Sequence, residues 1–152
     1  MKETVQISPQ TFIDSIDNFE DPMVAVSFRF DRVGNGGRRV IGRNLLVDYG
    51  QFQLPLSVMF FPEEEVVGIV QLQFSGPNFL LTEEMLKGLN IWCAHTSPQT
   101  EFQVYQYPDD YLALVLEKKT SGRTPDDLQD WIREFKSIAP KFAQRLDQDL
   151  NI

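Results

Sequence analysis

The chain has 152 residues, 42% of them hydrophobic, and carries 22 acidic side chains against 14 basic ones for a formal charge of −8. Length and apolar fraction suit one domain around a single core over residues 1–152. The negative balance argues against nucleic acid, whose binding draws on counterions released at clusters of Lys and Arg. No stretch approaches the roughly 18 uninterrupted apolar residues of a membrane span. Met1 to Gln6 has no apolar core of the signal-peptide kind, and the one cysteine, Cys93, has no partner within the chain. The expectation is a cytoplasmic protein without an internal disulfide.

Ser8 followed by Pro9 reads as an N-cap with proline at the first helical position. Phe12, Ile16 and Phe19 then recur at spacings of four and three, which predicts a short amphipathic helix of about three turns ending before Pro22. From Pro22 the period becomes two: Val24, Val26, Phe28 and Phe30 alternate with Ala25, Ser27, Arg29 and Asp31, the pattern of a half-buried strand. Gly34-Asn35-Gly36-Gly37 turns the chain, and Ile41, Leu45 and Val47 resume a strand with Arg43 on the same side. After Tyr49-Gly50-Gln51, the residues Phe52, Leu54, Leu56, Val58 and Phe60 give a third strand with the cleanest alternation. Pro55 in its middle cannot donate to a ladder, which predicts that this strand lies at an edge or bulges there. Pro62-Glu63-Glu64-Glu65 makes another turn, and Val66 to Phe74 reads as a fourth strand with Val66, Val70, Leu72 and Phe74 on one face.

Gly76-Pro77-Asn78 breaks the sheet. Thr82 with Glu83 and Glu84 then caps a helix whose apolar face is Met85, Leu86, Leu89, Trp92 and Cys93, weakened by Gly88. Phe102 and Val104 begin a strand that Pro108-Asp109-Asp110 turns into another, Tyr111 to Glu117. Thr124-Pro125-Asp126-Asp127 opens the last helix, and Leu128, Trp131, Ile132, Phe135, Ile138, Phe142, Leu146 and Leu150 follow at three and four. Pro140 predicts a kink near Lys136 and Ser137, because its ring clashes with the carbonyl four residues back.

Complete catalytic signatures are lacking. The glycine run is followed by Arg38-Arg39-Val40-Ile41, which reads as strand, whereas a phosphate loop or dinucleotide fingerprint needs a helix there. Cys93, His95 and Glu101 invite a nucleophile, base and orienter, but residues two apart on a helix point away from each other, and Cys93 reads as a small buried hydrophobe. Glu63-Glu64-Glu65 and Asp109-Asp110 lack the spacing of a calcium loop and read as solvated turns. The distinctive charge feature is local: Arg29, Arg32, Arg38, Arg39 and Arg43 lie among fifteen positions holding one acid, Asp31. An acidic partner could be steered to that hairpin. Twelve phenylalanines and two tryptophans are also many for one small core, and a surplus left exposed would be a self-association or partner surface.

This order of elements resembles the YbjN family, whose fold is similar to that of type III secretion chaperones. The likeness rests on Gly88-Leu89-Asn90 in the middle helix, the hairpin around Pro108-Asp109-Asp110 with its apolar strand Tyr111-Leu112-Ala113-Leu114-Val115-Leu116, and the Thr124-Pro125 start of the last helix. The resemblance implies a small, acidic, cytosolic homodimer that holds segments of client proteins, and it transfers no catalytic residue. The first meander has four strands where three are usual.

The expectation is therefore an α+β domain: helix, antiparallel β-meander, helix, β-hairpin, and a long C-terminal helix packed on the sheet, secretion chaperone-like. Its function is expected to be non-enzymatic, that of a protein-binding adaptor or chaperone-like regulator acting as a homodimer, with no cofactor and no metal. Three surfaces are candidates for the partner: the helix face of Phe12, Ile16 and Phe19, the basic hairpin with Arg38, Arg39 and Arg43, and the strand carrying Pro55 as an edge for strand addition. The alternative is a small-molecule-binding protein or enzyme with a pocket between sheet and long helix, lined by Arg43, Asn44 or His95.

Overall fold

Ser8 and Thr11 cap each other: Thr11 N–H donates to Ser8 Oγ at 3.2 Å and Ser8 N–H donates to Thr11 Oγ1 at 2.7 Å. This capping box, with Pro9 in the first turn, opens α1 (Pro9–Asp17). In this computed structural model, which describes residues 6–34, 36–74, 82–98, 101–107 and 111–150, four strands follow: β1 (Val24–Val33), β2 (Arg39–Asp48), β3 (Gln53–Phe61) and β4 (Val66–Phe74). Then come α2 (Glu83–Thr96), β5 (Gln103–Tyr107), β6 (Tyr111–Lys119) and α3 (Pro125–Leu150). The class is α+β in the element order expected. Asn35 and the turns at Gly76-Pro77-Asn78 and Pro108-Asp109-Asp110 lie outside the described residues.

All six strands join one antiparallel sheet in the order β1-β2-β3-β4-β6-β5. Its inner face carries Ile41, Leu45 and Val47, Leu56, Val58 and Phe60, Val67 and Ile69, and Leu112, Leu114 and Leu116, all in the buried core. The helices cover that face. Phe12 of α1 meets Phe60 with ring centroids 5.4 Å apart, Phe102 meets Phe135 of α3 at 5.3 Å, and Trp92 of α2 meets Phe142 at 6.2 Å. The α3 stripe is seated as its spacing predicts from Leu128 through Trp131, Ile132, Phe135 and Ile138 to Phe142, all buried; the side chains of Leu146 and Leu150 lie outside the described residues. Its start is capped by Asp127, whose carboxylate accepts from Thr124 N–H at 2.9 Å.

Two details depart from the sequence pattern. The β1–β2 register shifts between Val26 and Phe28, so one extra residue, Ser27, turns the rest of β1 over. Val24 and Val26 face the core side, whereas Phe28 and Phe30 point to the opposite face and Arg29 and Asp31 take the inner positions. The strand with Pro55 is not at an edge: β3 lies between β2 and β4, and β1 and β5 are the edges. The β3–β4 ladder stops at Ser57↔Val70 while the β2–β3 ladder continues through Leu46↔Pro55, so the proline sits where pairing on one side has already ended. Helix α3 includes Pro140 within its span, and the Tyr49 hydroxyl donates to the Lys136 carbonyl at 2.7 Å.

Candidate binding surface

The three surfaces singled out from the sequence fare differently in three dimensions. Phe12 and Ile16 are 0% and 2% exposed, so that helix face is already covered by β3 and α3, while Phe19 lies half-buried under the Arg133 guanidinium, 5.3 Å from its ring. The basic hairpin is neutralised from within. Arg38 meets Glu64 at 2.6 Å, Arg39 forks onto Asp31 at 2.9 and 2.7 Å, and Arg39 N–H donates to Glu63 at 3.3 Å. The Arg39 guanidinium holds the Asp31 carboxyl below the usual carboxylate range. Arg43 is buried, donates to Asp17 at 2.9 Å and to its neighbour's carbonyl, that of Gly42, at 2.8 Å, and shares Asp17 with Arg29 at 3.6 Å. Arg32 has no ion pair among the described residues and lies 5.1 Å over the Phe30 ring. Apart from Asp31 on β1 itself, the acids that quench the hairpin come from α1 and from the β3–β4 turn, outside the hairpin's own sequence. Pro55 is exposed on the outer face, opposite Leu46.

The pocket and the catalytic triplet gain no support from geometry. Between the sheet and α3 the space lined by Val47, Tyr49, Leu54, Gln71, Phe135 and Ala139 is about 160 Å³, below the roughly 300 Å³ at which ligand sites begin. One polar atom, Gln71 Oε1, is buried there without a hydrogen-bond partner among the described residues. Arg43 is engaged by Asp17, Asn44 accepts from Ser57 Oγ at 2.8 Å, and His95 is exposed; none lines this space. Cys93 is buried, which pushes its thiol up to about 11, the opposite of what an attacking thiolate requires.

The outer face of the sheet is the surface the sequence reading missed. Register places Val40 and Leu46 of β2, Met59 and Phe61 of β3, Val66, Val70 and Leu72 of β4, and Ala113 and Val115 of β6 on it. Ala113 is fully buried among its neighbours, and the others lie outside the buried core. Phe28 (57% exposed), Leu72 (48%) and Tyr105 (46%) stand open on this face, and α1 and α3 pack against the other side. Charged side chains, Arg32, Asp48, Glu117 and Lys119, sit at its ends. An antiparallel sheet with one wet face ordinarily alternates apolar-in with polar-out. Here Val66-Val67-Gly68-Ile69-Val70 and Tyr111-Leu112-Ala113-Leu114-Val115-Leu116 are continuous apolar runs on adjacent strands, the signature of strands covered on both faces. That run was the signal available in the sequence.

The two edges also differ. At β5, the Asn90 side chain of α2 accepts from Val104 N–H at 2.8 Å and donates to Val104 O at 3.2 Å and Leu86 O at 3.1 Å. An amide side chain thus stands in for the peptide group of a further strand, and α2 is held along that edge. At β1 no further strand pairs among the described residues. No helix among the described residues is long and apolar enough to cross a membrane. No protein-family model, curated protein or solved structure matches the chain.

Proposed function

We propose that this protein is a non-enzymatic adaptor or chaperone-like regulator whose outer sheet face holds an apolar segment of a partner protein. The observation that carries this is the open apolar face over β3, β4 and β6. Three strands about 4.8 Å apart and some six residues long offer on the order of 300 Å², within the range where the largest exposed apolar patch of a soluble domain is often functional. An uncharged centre ringed by Arg32, Asp48, Glu117 and Lys119 has the anatomy of a protein interface, apolar in the middle and polar at the rim. The occupant that fits is a protein segment presenting aliphatic or aromatic side chains with no charge along its contact stripe, since a charge placed over Val70 and Leu72 would be desolvated without a partner. The resemblance to the YbjN family points the same way.

The test places a photo-crosslinking residue at Leu72 and compares it with a Leu72→Asp, Tyr105→Asp double variant in affinity capture from native extract. Crosslinked peptides with an uncharged apolar stripe, obtained with the wild-type face and lost from the folded double variant, are the expected result. Crosslinks unchanged by the two aspartates, or a co-purified metabolite in place of any protein, would overturn the reading.

A further inference from the structure

The geometry points to β1 as a self-recognition edge, through which two copies of this chain pair antiparallel about Phe30. Gly34 N–H donates to Arg38 O at 2.7 Å, which makes these two a hydrogen-bonded pair. The register is uninterrupted from Phe28↔Asn44 to Val33↔Arg39. Alternation along an antiparallel ladder then sends the N–H and C=O of Phe28, Phe30 and Arg32 to β2, and those of Arg29, Asp31 and Val33 out to the open edge. A second strand can bond this edge only by setting odd-numbered residues opposite odd-numbered ones.

Charge selects among those registers. Pairing centred on Asp31 opposes Asp31 to Asp31, and pairing centred on Arg29 opposes Arg29 to Arg29; like charges directly opposite are destabilising. Centred on Phe30, each Arg29 faces Asp31 of the second copy and each pair exchanges both main-chain hydrogen bonds. On the outer face the same register sets Phe28 opposite Arg32 of the second copy and Phe30 opposite Phe30. Arg32 already rests on an aromatic ring, at 5.1 Å from Phe30, and Phe28 stacks on Phe30 at 6.1 Å while 57% exposed, so arginine–aromatic contact extends across the join. The segment Phe28-Arg29-Phe30-Asp31-Arg32 is complementary to itself reversed. Ser27, the bulged residue, ends the ladder on one side, so the interface is small. The pairing uses Phe28, Phe30 and Arg32 at the β1 margin of the outer face, whereas the partner segment is tested at Leu72 and Tyr105 over β4 and β5, so failure of one reading leaves the other standing.

The test is sedimentation equilibrium of the wild-type chain, of Arg29→Glu, of Asp31→Lys and of the two variants mixed, at up to roughly 200 μM because a small interface implies micromolar affinity. The wild type is expected to dimerise, and each variant alone to weaken the dimer at least about tenfold, since it sets like charges opposite. The equimolar mixture is expected to recover dimers. In the mixed pair the glutamate introduced at position 29 of one copy faces the lysine introduced at position 31 of the other, and the unaltered Asp31 and Arg29 face each other across the remaining pair. In parallel, Phe30→Cys is expected to form a disulfide-linked dimer under mild oxidation. Its Cα atoms would lie about 4.5 Å apart in a non-hydrogen-bonded pair, within disulfide reach, and Cys93 is buried and out of the way. Arg32→Cys, facing position 28 rather than itself, is expected not to crosslink. A monomeric wild type, a mixture that stays monomeric, or equal crosslinking at 30 and 32 would overturn the proposal, as would a dimer insensitive to these changes but dissolved by Leu72→Asp.

Discussion

Tyr49 supplies the hydrogen bond that Pro140 takes away from Lys136. A proline inside a helix has no N–H for the carbonyl four residues back, and here that carbonyl, of Lys136, accepts from Tyr49 Oη at 2.7 Å. Burial, helped by the Asp21 charge, pushes the Tyr49 hydroxyl up to about 12 and keeps it a donor. Tyr49→Phe should cost about 1–2 kcal/mol, the usual penalty for a buried acceptor left unpaired. In a Pro140→Ala background, where a helix N–H returns, the same change should cost less than half as much. Urea unfolding of the four members of this cycle measures the coupling. The raised tyrosine also fixes a pH dependence: the stability it contributes is complete below its unfolded value of 10.0 and is lost as pH rises toward about 12, so wild type and Tyr49→Phe should converge over that alkaline range.

Asp21 sits on the other side of Lys136. Burial alone would raise its carboxyl, but the Lys136 ammonium bonded to it, the Met23 N–H at 2.9 Å, and the charges of Lys136 and Arg133 together hold it below the usual value of 3.8. A depressed carboxyl contributes stability that is present above the unfolded pKa and lost as pH falls through the folded one. The difference in urea midpoint between wild type and Asp21→Asn should therefore be constant at neutral pH and shrink below pH 3.8.

The Arg43–Asp17 pair should respond asymmetrically. Arg43 is 7% exposed in its side chain and Asp17 is 29%. Asp17→Ala leaves a buried guanidinium without its counter-charge and should cost about 3 kcal/mol. Arg43→Met leaves a carboxylate that still has water and Arg29 beside it, and should cost about 1 kcal/mol or less. Equal losses in thermal unfolding would show that the pair acts only as a unit.

Gly42 provides the seat for Phe30: a Cβ there would fall 2.0 Å from the Phe30 ring. The ring is the free end of a side chain on an open face, so Gly42→Ala should cost only about 1 kcal/mol while displacing the ring. Loss of the Phe30 ring-current shifts on the β2 amide protons reads that displacement, and unchanged shifts would argue against it.

Much of this fold could be read from local chemistry. Ser8-Pro9, Thr82-Glu83-Glu84 and Thr124-Pro125-Asp126-Asp127 mark helix starts where the helices begin, and period-two alternation locates β2 and β3 and even puts Arg43 on the core side, because caps and alternation act over a few residues. The surfaces were less legible, since they depend on which distant elements meet. Ser27 turns Phe28 and Phe30 outward only because β2 pairs around it. Asp17, Glu63 and Glu64 quench arginines that look like a basic patch when only neighbours in sequence are counted. Pro55 suggested an edge because sequence shows the missing donor and not that the neighbouring ladder has already ended. The exposed face was written in β4 and β6, as apolar runs too continuous for strands wetted on one side.

Asn90 matters beyond the local fit of α2. By engaging both main-chain groups of Val104 it occupies the β5 edge there with a side chain, which offers no ladder onward. A sheet with two open edges can add copies without limit and grow into a fibre. With β5 guarded, a pair joined at β1 has used its remaining edge, and growth ends at two. Asn90→Ala should accordingly speed amide exchange at Val104 and, at high concentration, turn a closed pair into a species that scatters light.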